Sequence, residues 1–111
     1  MKYFIEIRSL TLKPGTRDEF HQLYLTAALP RLIHWDFDVV AHGPSLHAEN
    51  TYYVIRCYDS LAQREQMEEA YYASDDWRKG PREAILALIE RYTDVVFELE
   101  DVTVEALRVR S

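Results

Sequence analysis

The sequence predicts an α+β fold, one antiparallel β-sheet with two helices on one of its faces. Three observations predict it. Hydrophobic periodicity switches between two and 3.6 residues in the order strand, helix, strand, strand, helix, strand, the split βαβ arrangement. Helix-start signals, Thr16 with Glu19 and Ser60 with Gln63, head the two helical stretches. Turn formers, Pro14-Gly15 and Gly43-Pro44, separate the periods. With 111 residues, no repeat and no linker, residues 1–111 read as a single domain.

Residues 3 to 12 alternate, with Tyr3, Ile5 and Ile7 on one face and Phe4, Glu6, Arg8, Leu10 and Leu12 on the other. The first strand is therefore apolar on both sides. Lys13-Pro14-Gly15 turns the chain, and Thr16 opens a helix carrying Phe20, Leu23, Tyr24 and Ala27 at helical spacing. Pro30, lacking an N–H, is expected to stop or kink that helix. From Ile33 to His42 the period becomes two, with Ile33, Trp35, Phe37, Val39 and Ala41 facing one way and His34, Asp36, Asp38, Val40 and His42 the other. That alternation predicts a strand ended by Gly43-Pro44.

A polar link, Ser45 to Asn50, leads to Thr51–Tyr58, whose aromatic and β-branched content marks the partner strand of a long-loop hairpin. Ser60 then caps a helix with Leu61, Arg64, Met67, Ala70 and Tyr71 along one stripe. Ser74-Asp75-Asp76-Trp77 begins a short turn, its acids meeting the positive end of the helix dipole. Gly80-Pro81 interrupts it, and Pro81 starts a last helix with Ala84, Ile85, Leu88, Ile89 and Tyr92 as its core stripe. Val95 to Glu100 and Val102 to Val109 read as closing extended stretches.

The net charge of −6 lies mostly in the second half, with six acids against five bases in residues 1–55 and thirteen against eight in residues 56–111. Phosphate backbones would be repelled, so no nucleic-acid partner is expected. No apolar run approaches the ~18 residues of a membrane span. Glu6 and Arg8 interrupt the N-terminal apolar stretch, so no secretion signal is read and a cytoplasmic location is expected. The lone Cys57 excludes a disulfide framework and multi-cysteine zinc sites. Eight tyrosines, each with an apolar ring and a polar tip, suit an oligomer interface or a ligand cavity.

For chemistry, the densest constellation is His34, Asp36, Asp38 and His42 on one expected strand face, with His47 and Glu49 in the following loop. Carboxylates beside imidazoles serve acid/base work or gather a metal. Yet a single strand seldom converges ligands within ~2.0 to 2.2 Å of one point, so a solvated polar face is the simplest reading and no metal is expected. Glu6 and Arg8 either orient a polar substrate or pair with neighbouring strands. Arg56 shares a face with Tyr52, Val54 and Tyr58, where a guanidinium needs an acid, a carbonyl or a ligand, and structural pairing is favoured. Cys57 reads as a small core hydrophobe, His21 as an edge residue and Trp77 as a packing anchor. Phosphate-binding loops and Gly-x-Ser-x-Gly or His-Glu-x-x-His motifs are absent, which argues against P-loop and Rossmann chemistry.

Two stretches, YFIEIRSLTLKPGTRDEF and YDSLAQREQMEEAYYASDDW, resemble the opening and the strand, capped helix and Asp-x-Trp segment of NIPSNAP proteins. The similarity covers about residues 3 to 99. It implies a ferredoxin-like βαββαβ fold pairing into a dimeric α+β barrel, whose relatives include cofactor-free monooxygenases, small-molecule isomerases and haem-handling enzymes. It carries over no catalytic residue and calls for no cofactor. A homodimer is also expected from the doubly apolar first strand, since one helical layer leaves a sheet face uncovered. The resulting expectation is a cavity between sheet and helices that takes a small aromatic or lipophilic molecule, with cofactor-free oxygenation or isomerisation. The alternative is a non-catalytic dimeric scaffold whose acidic second half meets a partner.

Overall fold

The computed structural model describes residues 1–108. Strands β1 (Lys2–Leu12), β2 (Asp38–Pro44), β3 (Thr51–Tyr58) and β4 (Ile89–Glu100) form one antiparallel sheet in the order β2-β3-β1-β4. Alternation along β1 divides the interior in two. On one face Leu10 and Leu12 join Tyr52, Val54 and Tyr58 beneath Phe20, Tyr24, Leu32, Phe37, Tyr71 and Ile85 from the helical layer. On the other, Ile5, Val40 and Cys57 enclose Val104.

The first helical segment is longer than the sequence suggests. Helix α1 (Arg17–Leu23) continues through a wider π-helical stretch, Tyr24–Ala28, into α2 (Leu29–His34), so Pro30 does not stop it. A proline at this position leaves the Thr26 carbonyl without its usual amide partner and crowds that turn, and the widened stretch contains that carbonyl. The expected Thr16 cap is not made either; its hydroxyl donates to the Lys13 carbonyl at 2.7 Å, closing the turn instead.

Residues 33 to 37 are accordingly not strand. The helix ends at Asp36, which adopts a left-handed φ of 66°. Its N–H reaches the Ile33 carbonyl at 3.0 Å and that of Phe37 reaches Leu32 at 2.9 Å, a Schellman closure with Leu32 and Phe37 both in the core. A non-glycine residue at this position left no terminator to read, so helix end and strand start merged into one alternating run. β2 begins only at Asp38, and a register shift between Val39 and Ala41 accompanies the burial of Val40 against Ile5 and Cys57.

Helix α3 (Leu61–Tyr72) starts as expected. The Ser60 hydroxyl accepts from the Gln63 N–H at 3.0 Å, and the Gln63 side chain accepts from the Asp59 N–H at 2.6 Å. Ser74 caps α4 (Asp75–Arg78) by accepting from the Trp77 N–H at 3.3 Å. Helix α5 (Arg82–Leu88) is shorter than its sequence stripe, because the chain becomes β4 at Ile89 and satisfies the free edge of β1 along its length. Tyr92 therefore lies on a strand, not on a helix.

The closing stretch is a further correction. Val102 to Val109 was expected to be extended, but Asp101–Leu107 forms α6, and Val109 lies outside the described residues. Val104, fully buried, docks α6 on the face opposite the other helices, and Arg108 clamps Asp38 with two bonds of 2.7 and 2.9 Å. Among the described residues no helix is long and apolar enough to cross a membrane.

Candidate functional site: a charged cluster at the wall of an aromatic cavity

Between sheet and helices lies a cavity of about 460 Å³. Its walls are largely apolar and aromatic, with Leu10, Phe20, Leu32, Val54, Tyr71, Trp77 and Ile85 among them. Trp77 is held in place by packing edge-on to Tyr72 at 5.2 Å. The neighbouring Asp76 ties α4 to α2 by accepting from Arg31 Nε at 3.0 Å and Trp35 Nε1 at 2.9 Å. Arg8, Arg56 and Glu68 form the charged part of the wall.

Sheet register assembles that charge. Glu6 stands opposite Arg56, and Arg8 opposite Asp94, while α3 lays Arg64 and Glu68 over them. Glu6 is wholly buried; its carboxylate accepts from Arg64 Nε at 2.6 Å and Arg8 Nε at 3.2 Å, with Arg56 Nη1 at 3.9 Å. Arg56 donates through Nη2 to the Tyr72 hydroxyl at 2.9 Å and lies 5.0 Å over the Phe37 ring, a cation–π contact. Glu68 accepts from the Tyr58 hydroxyl at 3.0 Å and stands 3.3 Å from Arg64, 3.6 Å from Arg8 and 3.8 Å from Arg56. Asp94 completes the cluster, 3.4 Å from Arg8 and 3.9 Å from Arg64.

Three arginines thus face three carboxyl groups, and the carboxyls do not titrate alike. Burial alone would raise Glu6, but the hydrogen bond from Glu68 and the charges of Arg8 and Arg56 outweigh it and hold Glu6 below its ordinary value. Burial, followed by the hydrogen bond and charge of Glu6, pushes Glu68 up to about 7. Burial also raises Asp94. The Glu6 and Glu68 pair therefore keeps one proton in a range where a free glutamate has lost it.

That shared proton has a stability signature. Because the folded-state pKa of Glu68 lies above its unfolded value, its contribution is full below about pH 4.5 and is lost as pH rises through about 7. His42, lowered by burial and then by His21, works in the opposite sense as pH rises through its ordinary range. Comparison with Glu68→Gln separates the titration of the Glu6 and Glu68 pair from that of His42. Relative to wild type, the variant is expected to gain on the order of 2 kcal/mol between pH 5 and pH 8, read from urea midpoints. A difference that stays flat with pH would contradict the shared proton.

The residues singled out in the sequence separate in space. Arg8 and Arg56 line the cavity and Glu6 lies directly behind them. His34, exposed, ends α2, and exposed Asp36 closes that helix, so neither shares a strand face with His42. Asp38 is taken by Arg108, while His47 and Glu49 are exposed in the loop after β2. His42 and Tyr52 form a separate polar knot. The Tyr52 hydroxyl lies between His21 Nδ1 at 2.7 Å and His42 Nδ1 at 3.2 Å, and the Tyr24 ring stacks on His42 at 4.9 Å. Cys57 is buried, and burial followed by Asp38 pushes its thiol up to about 11, which leaves it unreactive.

Sequence reading missed Arg64, Glu68, Tyr72 and Asp94 as site residues. One signal was present: Arg64 occupies a core-stripe position on α3, with Glu68 four residues on. Asp94 carried none, since only sheet register brings it to Arg8.

Sheet order, helical layer and the cavity between them together define an α+β protein of the ferredoxin-like kind with an aromatic, arginine-edged pocket. The NIPSNAP family profile matches residues 5–93, and the chain belongs to that family. Among solved structures it is similar to an uncharacterized NIPSNAP domain protein from Burkholderia xenovorans, with 17% identity, a TM-score of 0.80, and 88% of this chain and 95% of that one covered. A NIPSNAP family protein of unknown function from Agrobacterium tumefaciens is 21% identical with a TM-score of 0.79, covering 87% of each chain. A putative antibiotic biosynthesis monooxygenase from Bordetella bronchiseptica is 17% identical with a TM-score of 0.68, covering 91% of this chain and 98% of that one. At these identities the likeness is one of fold. No curated protein matches the sequence.

Proposed function

We propose that this protein binds a small aromatic or lipophilic molecule in the cavity between sheet and helices. The observation that carries the reading is a space of about 460 Å³, within the range of small-molecule sites, walled by aromatic side chains and edged by Arg8, Arg56 and Glu68. Glu68, exchanging a proton near neutrality beside Arg8 and Arg56, is suited to proton transfer at a bound carbonyl or enol without a cofactor. Cofactor-free oxygenation or isomerisation is the reaction class this suits, and the fold shared with a putative monooxygenase is compatible with it.

Ala28 lies on the cavity wall and is almost fully buried, so Ala28→Trp fills the space from within. Wild type is expected to bind 2-naphthamide saturably in ligand-observed NMR, and the variant to lose that binding while keeping its circular dichroism spectrum. Absence of saturable binding by both 2-naphthamide and its carboxylate counterpart 2-naphthoate, or equal binding by the folded variant, would refute the cavity reading.

The second reading, a non-catalytic dimeric scaffold, is favoured by the outer sheet face. Register sets Ile55, Ile7 and Val95 side by side across β3, β1 and β4, and Val95 is 59% exposed. Helix α6 covers Ile5 and Val40 but leaves Val95 open. A second copy laid over this strip would give a homodimer under either reading. Sedimentation at micromolar concentration is expected to give about twice 13.1 kDa. A monomer, or a dimer untouched by Val95→Lys, would remove this face as the interface.

A further inference from the structure

We infer that the charged wall of the cavity binds a single carboxylate borne on an apolar, ring-containing body, and that the Glu6 and Glu68 pair takes up a proton as it binds. The inference rests on the small-molecule reading above and names its ligand class. It starts from hydrogen-bonding groups that have no partner. Arg56 is 5% exposed, and neither its Nε nor its Nη1 makes a hydrogen bond; the nearest carboxylate oxygens stand 3.8 and 3.9 Å from Nη1. The hydroxyls of Tyr24 and Tyr71, 2% and 1% exposed, also lack partners. All three side chains line the same cavity. Buried donors are rarely left unpaired, and what would satisfy these is an acceptor inside the cavity.

Charge decides which acceptor. The groups facing Glu68 are Glu6 and Arg8 from β1, Arg56 and Tyr58 from β3 and Arg64 from α3, with Tyr72 bound to Arg56 and Asp94 paired with Arg64 behind them. With Glu68 protonated, three arginines meet two carboxylates, leaving one positive charge for a ligand to neutralise. Burial holds the Tyr24 and Tyr71 hydroxyls up to about 12, so both keep protons to donate. A cation would meet Arg56 and Arg8 at the wall, and a neutral amide would leave the excess charge uncompensated. An arriving carboxylate adds negative charge beside Glu68, which strengthens its hold on a proton.

Calorimetry with 2-naphthoate and its neutral analogue 2-naphthamide, each in phosphate and in Tris buffer, tests both parts. The carboxylate is expected to bind about tenfold tighter or more, the scale of a charge-assisted hydrogen bond. Since Glu68 titrates at about 7, uptake should be about half a proton at pH 7 and approach one at pH 8. Glu68→Gln should abolish the uptake and keep the preference for carboxylate. Tyr24→Phe combined with Tyr71→Phe removes only unpartnered hydroxyls, so it should fold normally and bind 2-naphthoate about tenfold more weakly or worse. Equal affinity for the two probes would overturn the carboxylate assignment while leaving the cavity reading intact. Binding of neither would overturn both. Preference for carboxylate without uptake, or with uptake surviving in Glu68→Gln, would overturn the proton linkage.

Discussion

Glu6→Ala is expected to destabilise the fold by about 3 to 5 kcal/mol, the cost of removing one partner from a buried ionic cluster. Glu6 has no exposed surface and gathers Arg64 at 2.6 Å, Arg8 at 3.2 Å and Arg56 at 3.9 Å. Arg8 and Arg64 keep 16% and 22% of their side chains exposed and can turn towards water, whereas Arg56 keeps 6% and cannot. The loss therefore falls on Arg56, left with Tyr72 and the more distant Glu68. Arg56→Met should cost less, because Glu6 keeps Arg64 at 2.6 Å and Arg8 at 3.2 Å. Joining Glu6→Ala to Arg56→Met should cost clearly less than the two singles summed, because the arginine that Glu6→Ala leaves uncompensated is itself removed. Urea denaturation of the three variants measures this. A Glu6→Ala loss below about 1 kcal/mol would mean that the cluster resolvates freely and does not hold the strands to α3.

Ile5→Ala is expected to cost about 2 to 5 kcal/mol, the range for truncating a buried isoleucine where the surroundings cannot close in. Ile5 is fully buried, lies between Cys57 and Phe97 in register, and is covered by Val104 of α6. β1 is paired on both sides, so its backbone cannot shift to fill the space. Val104→Ala should cost less, since fewer atoms are removed. If α6 were only loosely docked, Ile5 would already be accessible to water, and a loss under about 1 kcal/mol for Ile5→Ala in chemical denaturation would reveal it.

β1, β3, α3 and α4 were legible in the sequence because local signals agree there. Alternation, β-branched and aromatic content and serine caps point the same way, and the structure places these elements within a residue or so of the expected bounds. Reading failed where a local rule was overridden. Pro30 is carried through a helix by the π-helical stretch, a left-handed aspartate does the work of a terminal glycine, and α6 rests on the docking of Val104 and Arg108. In the site, Glu6, Arg8 and Arg56 stood out because charged residues interrupt otherwise apolar strand faces. His34 and Asp36 were carried into the same constellation only by a periodicity that the Asp36 turn breaks.

The succession of strands and helices, the doubly apolar β1 and the family were thus contained in the chain's own pattern, since period and turn chemistry are properties of neighbouring residues. The charge cluster was not. Glu6, Arg56, Glu68 and Asp94 are scattered along the chain and meet through antiparallel register and the seating of α3 over the sheet. Which carboxyl keeps a proton, and which arginine nitrogens are left without a partner, depend on distances of a few ångströms and on exclusion of water. Both arise only when separate elements pack, because the Coulomb and desolvation energies that set them depend on separation in space and not on spacing in sequence.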